Sequence, residues 1–200
     1  MRRIGSRLPV TTLITGIGQR NAEKSIRSFL AKQQPRLVIT SGFAGGLDPM
    51  LPIGAVVFAA DDDFPFTPAL VAAGARPVRF FCVTNVIPTA EAKQELRRST
   101  GADAVEMESE VIRAICREHR ISSATVRVIS DAANEDLPLN FNHFMTADMK
   151  MDYGRLTWAL LKSPKKIGEL LKFRKKIEAA AENLATVLTK IIGESRELPR

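Results

Sequence analysis

Glu106 and Glu108 sit where a short apolar stretch gives way to a helix, with Glu110 a turn further on. Asp131 closes a second apolar stretch, with Ser130 beside it. A carboxylate at a strand-to-helix junction is placed to accept two hydrogen bonds from a vicinal diol. Each acid taken singly has a plainer reading. Helix N-termini favour acids through the dipole, and Asp is common as an N-cap or turn residue. Glu106 and Glu108, two positions apart, point in different directions, and Glu110 is expected in solvent. The argument for chemistry is that these acids converge.

That convergence depends on the elements around them. Residues 102–105 read as a strand, 107–119 as a helix and 121–129 as a strand. Such a βαβ unit brings both acids to one edge of a parallel sheet, where α/β proteins bind ligands. Earlier, residues 10–15 read as a strand that Gly16-Ile-Gly18 turns into a helix over 21–32. Ala22, Ile26, Phe29 and Leu30 share one face of that helix. Residues 37–40 form the next strand and end in a second loop, Gly42-Phe43-Ala44-Gly45-Gly46. This order predicts adjacent parallel strands with both glycine loops at one edge. Their free N–H groups suit a phosphate, a ribose or a carboxylate. Neither loop matches the P-loop or the full dinucleotide fingerprint, which disfavours nucleoside triphosphates and nicotinamide cofactors.

Further strands are expected at 55–60 and 78–84, separated by a loop with a short helical turn, and a helix at 90–99. Residues 134–142 are polar. The chain is then helical to its end, with a break at Ser163-Pro164. The fold class is a three-layer, doubly wound α/β domain with a mixed, mostly parallel sheet over residues 1–148. A basic helical extension, 149–200, packs on it or trails it.

The charge lies in that extension. Residues 150–176 carry nine Lys and Arg against two acids, a surplus equal to the net +7 of the whole chain. Leu156, Ala159, Leu160, Ile167, Leu170, Leu171 and Ile177 recur there at helical spacing. Three readings stay open: helices packed on the sheet with a solvated basic face, contact with an anionic membrane surface, and nucleic-acid binding. The last is disfavoured because aromatic residues for stacking are scarce; Tyr153 and Trp158 read as packing residues. No apolar run is long enough to span a bilayer. The basic start does not read as a signal peptide, and Cys82 and Cys116 read as buried thiols. A cytoplasmic protein, at most peripheral to the inner membrane face, is expected. His119 and His143 lack metal-like partners, the Asp61–Asp63 triplet reads as a solvated loop, and no metal or cofactor is expected.

Four motifs in register carry a resemblance: Thr15-Gly-Ile-Gly18, Ile39-Thr-Ser-Gly-Phe-Ala-Gly-Gly-Leu47, Val105-Glu-Met-Glu-Ser109 and Val126-Arg-Val-Ile-Ser-Asp131. Over residues 10–147 they resemble the purine nucleoside phosphorylase and methylthioadenosine/S-adenosylhomocysteine nucleosidase superfamily. The run from Asp136 to Asn142 followed by a basic tail is similar to the hopanoid-biosynthesis phosphorylase-like branch. The resemblance implies N-glycosidic cleavage of a purine nucleoside or adenosyl-containing substrate, by water or phosphate. It implies Glu108 and Met107 on the ribose, Asp131 as general acid to the leaving base and Ser130 orienting it. Gly16, Gly18, Gly42, Phe43, Ala44 and Gly45 would line the substrate, and a homo-oligomer is implied. In the family, the strand and hairpin that carry the nucleosidases' water-activating glutamate precede the 10–15 strand, so no residue among these 200 is expected to inherit that role. Thr40 and Ser41 stand where the phosphorylases place an arginine, and Phe43 replaces a small hydroxyl residue. A catalytically weak nucleoside-binding or scaffold protein is the alternative.

Overall fold

The computed structural model describes residues 10–163 and 165–194; the basic start at 1–9 lies outside the described residues. Six strands form one sheet: β1 (Leu37–Gly46), β2 (Val56–Ala60), β3 (Arg76–Pro77), β4 (Phe80–Cys82), β5 (Ala104–Glu106) and β6 (Ser122–Asp131). Their order is β3-β2-β6-β1-β5-β4. The helices are α1 (Gln19–Leu30), α2 (Thr67–Ala72), α3 (Ala90–Thr100), α4 (Ser109–Glu118), α5 (Tyr153–Lys162) and α6 (Lys165–Glu194).

β6 organises the sheet. Its residues from Ser123 to Asp131 are all buried, and a strand covered on both faces reads as a near-continuous apolar run. Ala124, Val126 and Val128 point to one face, where they pack with Phe64, Phe66 and Leu70 around α2 and with Ala180, Leu184, Val187 and Ile191 of α6. On the other face α1 and α4 close over Ile121 and Val38 through Ala22, Ile26, Leu30, Ile112 and Ile115. The three layers expected from the sequence are present. The second half of α6 belongs to the core, whereas its first turns carry Ile167 and Leu171 into solvent.

Several expectations need correction. Residues 10–15 do not form a strand. They pair with no other strand, and Val10, Leu13 and Ile14 are exposed, so β-branched composition alone does not make a strand without a ladder partner. The presumed loop Gly42–Gly46 is instead the second half of β1, held by β6 through Ala44 and Gly45. The expected 78–84 strand is shortened to β4, with β3 just before it. β3 pairs with β2 at one side of the sheet, and β4 with β5 at the other. Between η1, a 3-10 turn at Phe141–Phe144, and α5 the chain is non-helical, bridged at Met145 and Met151.

The most consequential correction concerns the βαβ unit. β5 and β6 are not neighbours: β1 lies between them, parallel to β6 and antiparallel to β5. The two carboxylate-bearing strand ends therefore approach β1 from opposite directions. They meet because both pair with the same residue, Gly45, which lies opposite Val105 on one side and Asp131 on the other.

Candidate active site

Gly45 is the point at which the acids come together. A Cβ there would lie 3.0 Å from Val105 Cγ1 and 3.3 Å from Asp131 Oδ2, so any larger residue would press on both side chains. The register between β1 and β6 slips by one residue at Ala44/Gly45. Such bulges re-aim side chains next to functional sites. Here the slip leaves Ser130 unpaired, with its Oγ 2.6 Å from Asp131 Oδ1 and 3.1 Å from the Ala44 carbonyl. The other oxygen of Asp131, Oδ2, is 2.5 Å from Lys93 Nζ on α3.

Glu106 and Glu108 point apart, as their spacing predicts. Glu106 turns inward and accepts from the backbone N–H groups of Glu108 and Ser109, from Ser109 Oγ and from Cys82 Sγ. Its carboxylate thus caps the N-terminus of α4, where free N–H groups and the dipole favour an anion. Across the sheet, Arg127 Nη2 donates to Glu106 Oε2 at 2.9 Å and to Thr40 Oγ1 at 3.0 Å. Burial opposes the charge of Glu106, but Arg127, the Cys82 thiol and the capping N–H groups outweigh it and hold Glu106 below the ordinary carboxyl value. Burial, reinforced by the Glu106 charge, pushes the Cys82 thiol up to about 12, so it stays a donor.

Glu108 turns the other way, towards the predicted glycine turn. Gly18 N–H donates to Glu108 Oε1 at 2.8 Å, joining two predicted site residues 90 positions apart. Gly16 and Gly18 have φ of +80° and +85°, a region that glycine enters without steric cost. Burial pushes the Glu108 carboxyl above its ordinary value, against the Gly18 N–H that favours the charged form. Met107 is half-buried beside it, and Phe43 on β1 exposes 42% of its surface. Gly42 lies over the Arg127 side chain, 3.9 Å from where its Cβ would be.

Two site residues escaped the sequence reading. Arg127 stood in a quoted motif without a role, yet it is buried and supplies a cation next to Thr40; its Nε has no partner. The signal was present, since a lone Arg flanked by Val126 and Val128 in an apolar strand needs an internal counter-charge. Lys93 is wholly buried on a helix otherwise rich in exposed charge, and nothing in its neighbours announces that.

Other candidates resolve into structural roles. Asp61 accepts from the backbone N–H and Oγ of Ser123 and from Arg113 Nη2. Burial raises its carboxyl, but the Ser123 and Arg113 contacts prevail and hold it below the ordinary value. A hollow of about 470 Å³ opens beside it, at the opposite end of β6 from Asp131, and its acids and arginines largely satisfy one another. No group of His, Cys, Asp and Glu among the described residues could hold a metal ion. Cys82 and Cys116 are free thiols.

Comparison with known proteins places the fold. The family model described as "Phosphorylase superfamily" matches residues 63–162. The 5′-methylthioadenosine/S-adenosylhomocysteine nucleosidase of Anoxybacillus flavithermus is 26% identical over 170 residues, covering 68% of this chain and 73% of the relative. The Bacillus subtilis nucleosidase is likewise 26% identical, over 68% of this chain and 74% of its own length. Among solved structures, futalosine hydrolase of Helicobacter pylori superposes with a TM-score of 0.64 at 17% identity, covering 90% of this chain and 77% of the other. The Neisseria meningitidis nucleosidase, solved with methylthio-immucillin-A, gives a TM-score of 0.62 at 20% identity, over 90% and 79% of the two chains. At these identities the superpositions establish the fold.

Proposed function

The chain belongs to the phosphorylase superfamily, and on that premise we propose that it cleaves the N-glycosidic bond of a purine nucleoside or adenosyl-containing substrate by hydrolysis. The observation that carries the reading is the pairing of Gly45 with both Val105 and Asp131, which sets the Glu106–Glu108 junction and Asp131 around one strand. Breaking an N-glycosidic bond develops positive charge on the sugar and negative charge on the base. Glu108, with Met107 beside it, binds the ribose hydroxyls and favours the cationic sugar. Asp131, oriented by Ser130, protonates the leaving base. Gly16, Gly18, Gly42, Phe43, Ala44 and Gly45 border the substrate.

The preference for water rests on Arg127. Its guanidinium is 2.9 Å from Glu106 and 4.0 Å from Glu108. A phosphate would meet one cation already flanked by two carboxylates, a weak site for an anion. The test is a panel of methylthioadenosine, S-adenosylhomocysteine, adenosine and inosine, with and without phosphate. Base release independent of phosphate supports hydrolysis; release that requires phosphate contradicts it. Glu108 adds a pH signature. Its raised carboxyl binds a proton above the ordinary value, so nucleoside affinity falls on the acid side from a pH above about 4.5. Glu108→Gln is expected to weaken binding roughly 10-fold or more, the loss of a charge-assisted hydrogen bond, and to abolish that acid limb. Calorimetric titration across pH checks both.

The basic extension supports a second surface. Tyr153, Trp158, Leu161, Ile167 and Leu171 are exposed rather than packed, correcting the sequence expectation for the two aromatics. Lys162 lies 4.7 Å over the Trp158 ring, and Lys166, Lys172 and Lys175 flank the apolar residues of α6. Like charge disfavours a second copy on this face, whereas an anionic bilayer complements both its charge and its apolar side chains. No described helix is long and apolar enough to cross a membrane. Trp158 is the single tryptophan. Its emission is expected to shift to the blue with phosphatidylglycerol vesicles and not with phosphatidylcholine alone; an unchanged spectrum in both sinks the assignment.

A further inference from the structure

Lys93 has no exposed surface, and its ammonium is fully committed. Nζ is 2.9 Å from the Ala132 carbonyl, 2.8 Å from the Glu135 carbonyl and 2.5 Å from Asp131 Oδ2. An ammonium has three donors, and here it has three acceptors. Two of those acceptors are peptide carbonyls, which do not take up a proton. The third is a carboxylate, which does. We infer that Lys93 is the proton reserve of Asp131: the proton delivered to the leaving base comes from the Lys93 ammonium through Oδ2.

The step balances. As the glycosidic bond breaks, its electron pair passes to the purine, the Lys93 proton moves onto Oδ2 and Asp131 gives one proton to a ring nitrogen. Asp131 ends as the carboxylate it began as, and Lys93 becomes a neutral amine. The amine keeps its two N–H bonds to Ala132 and Glu135 and gives up the one to Oδ2. Water adds to the sugar cation and releases one proton, which restores the ammonium after the products leave.

The other charges around the pair are engaged elsewhere. On α3, Arg97 pairs with Asp48 and Asp103, and Glu95 with Arg98. At the β5–α4 junction Glu106 takes Arg127, and Glu108 takes Gly18 N–H. After β6, Glu135 pairs with Lys176 and Asp136 accepts the Ala90 N–H. Lys93 is therefore the cation that meets Asp131 directly among the described residues.

The inference rests on the reading of Asp131 as general acid, and its test separates the two. A lone carboxyl loses its proton from about pH 4 upward, whereas the pair keeps one deliverable proton far above that. Base release by the wild-type chain is expected to hold level from pH 5 to pH 8 in this account, on the order of the full general-acid contribution. A wild-type rate that declines tenfold per pH unit across this range overturns it without any variant. Lys93→Met and Lys93→Gln are expected to lose roughly tenfold at pH 5 and 10²-fold or more at pH 8. Lys93→Arg keeps the charge but holds its proton at every accessible pH, so it follows the same pattern. A loss equal at both pH values, or an Arg variant of wild-type activity, shows a merely structural lysine. Base release that survives Asp131→Asn overturns the general-acid reading and this inference with it.

Discussion

Asp131→Asn is expected to lower base release on the order of 10²- to 10⁴-fold, the contribution of a positioned general acid. The amide keeps the shape of the carboxyl and can still meet Ser130 Oγ, which lies 2.6 Å from Asp131 Oδ1. It cannot deliver a proton to a purine. The defect should therefore depend on the leaving group. A riboside bearing a nitrophenolate, which departs without protonation, is expected to lose far less than a purine nucleoside. Equal losses on both substrates would mean that the residue acts through structure alone. The substitution also removes the counter-charge of a buried lysine, which costs stability by a few kcal/mol. Thermal unfolding measured in parallel allows rates to be compared well below the transition.

The largest effect on stability is expected at Glu106. Glu106→Gln leaves Arg127, 2% exposed and with Nε already unpartnered, without its carboxylate. Breaking one side of a buried pair in this way costs roughly 3–5 kcal/mol. The same carboxylate caps α4 and accepts from Cys82 and Ser109, so the loss belongs at the upper end. Replacing both partners, Glu106→Gln with Arg127→Met, is expected to recover a large part of it, because no buried charge is then stranded. Denaturant titration of the two single variants and the double variant measures the coupling; additive losses would show that the pair does not act as a unit. The pH dependence has a definite sign. Glu106 is held below its ordinary value when folded, so its stabilisation is present above pH about 4.5 and is lost as the pH falls through the lowered folded value. The Gln variant should lack that component of acid unfolding.

The candidate site was legible in the sequence where contacts are local. Glu106 and Glu108 mark a strand turning into a helix, and the Glu106 cap on α4 is a contact across two and three residues. Asp131 at the end of a largely apolar strand reads in the same way. What the sequence leaves open is pairing. Periodicity identifies β5 and β6 as strands but carries no information on their relative direction, and a helix between two strands suggests a parallel unit by default. Here β1 is inserted between them, and the acids meet through the missing side chain of Gly45 rather than through a shared sheet edge.

Residues 10–15 fail for the same reason: a strand is defined by its partner, and their composition cannot supply one. Lys93 illustrates the opposite limit. Its neighbours Glu91, Gln94, Glu95, Arg97 and Arg98 describe a solvated helix, and only the fold, by laying Leu96 against Leu47 and Val105, turns Lys93 inward towards Asp131. The tail was legible as helical, but the apolar repeat read there ends at Ile177, short of Ala180, Leu184, Val187 and Ile191, which are the residues that pack. That α6 divides into a packed second half and an exposed first half was not legible, because a repeat of apolar residues looks alike whether a sheet or nothing covers it.

The most direct test of the account is the identity of the products. The full chain is incubated with methylthioadenosine in phosphate-free buffer made with ¹⁸O-water, and the products are separated and weighed by mass spectrometry. The account predicts free adenine and methylthioribose carrying one ¹⁸O at the anomeric carbon, both lost in Asp131→Asn. Intact nucleoside after prolonged incubation, with the same outcome for the other purine nucleosides of the panel, would contradict it.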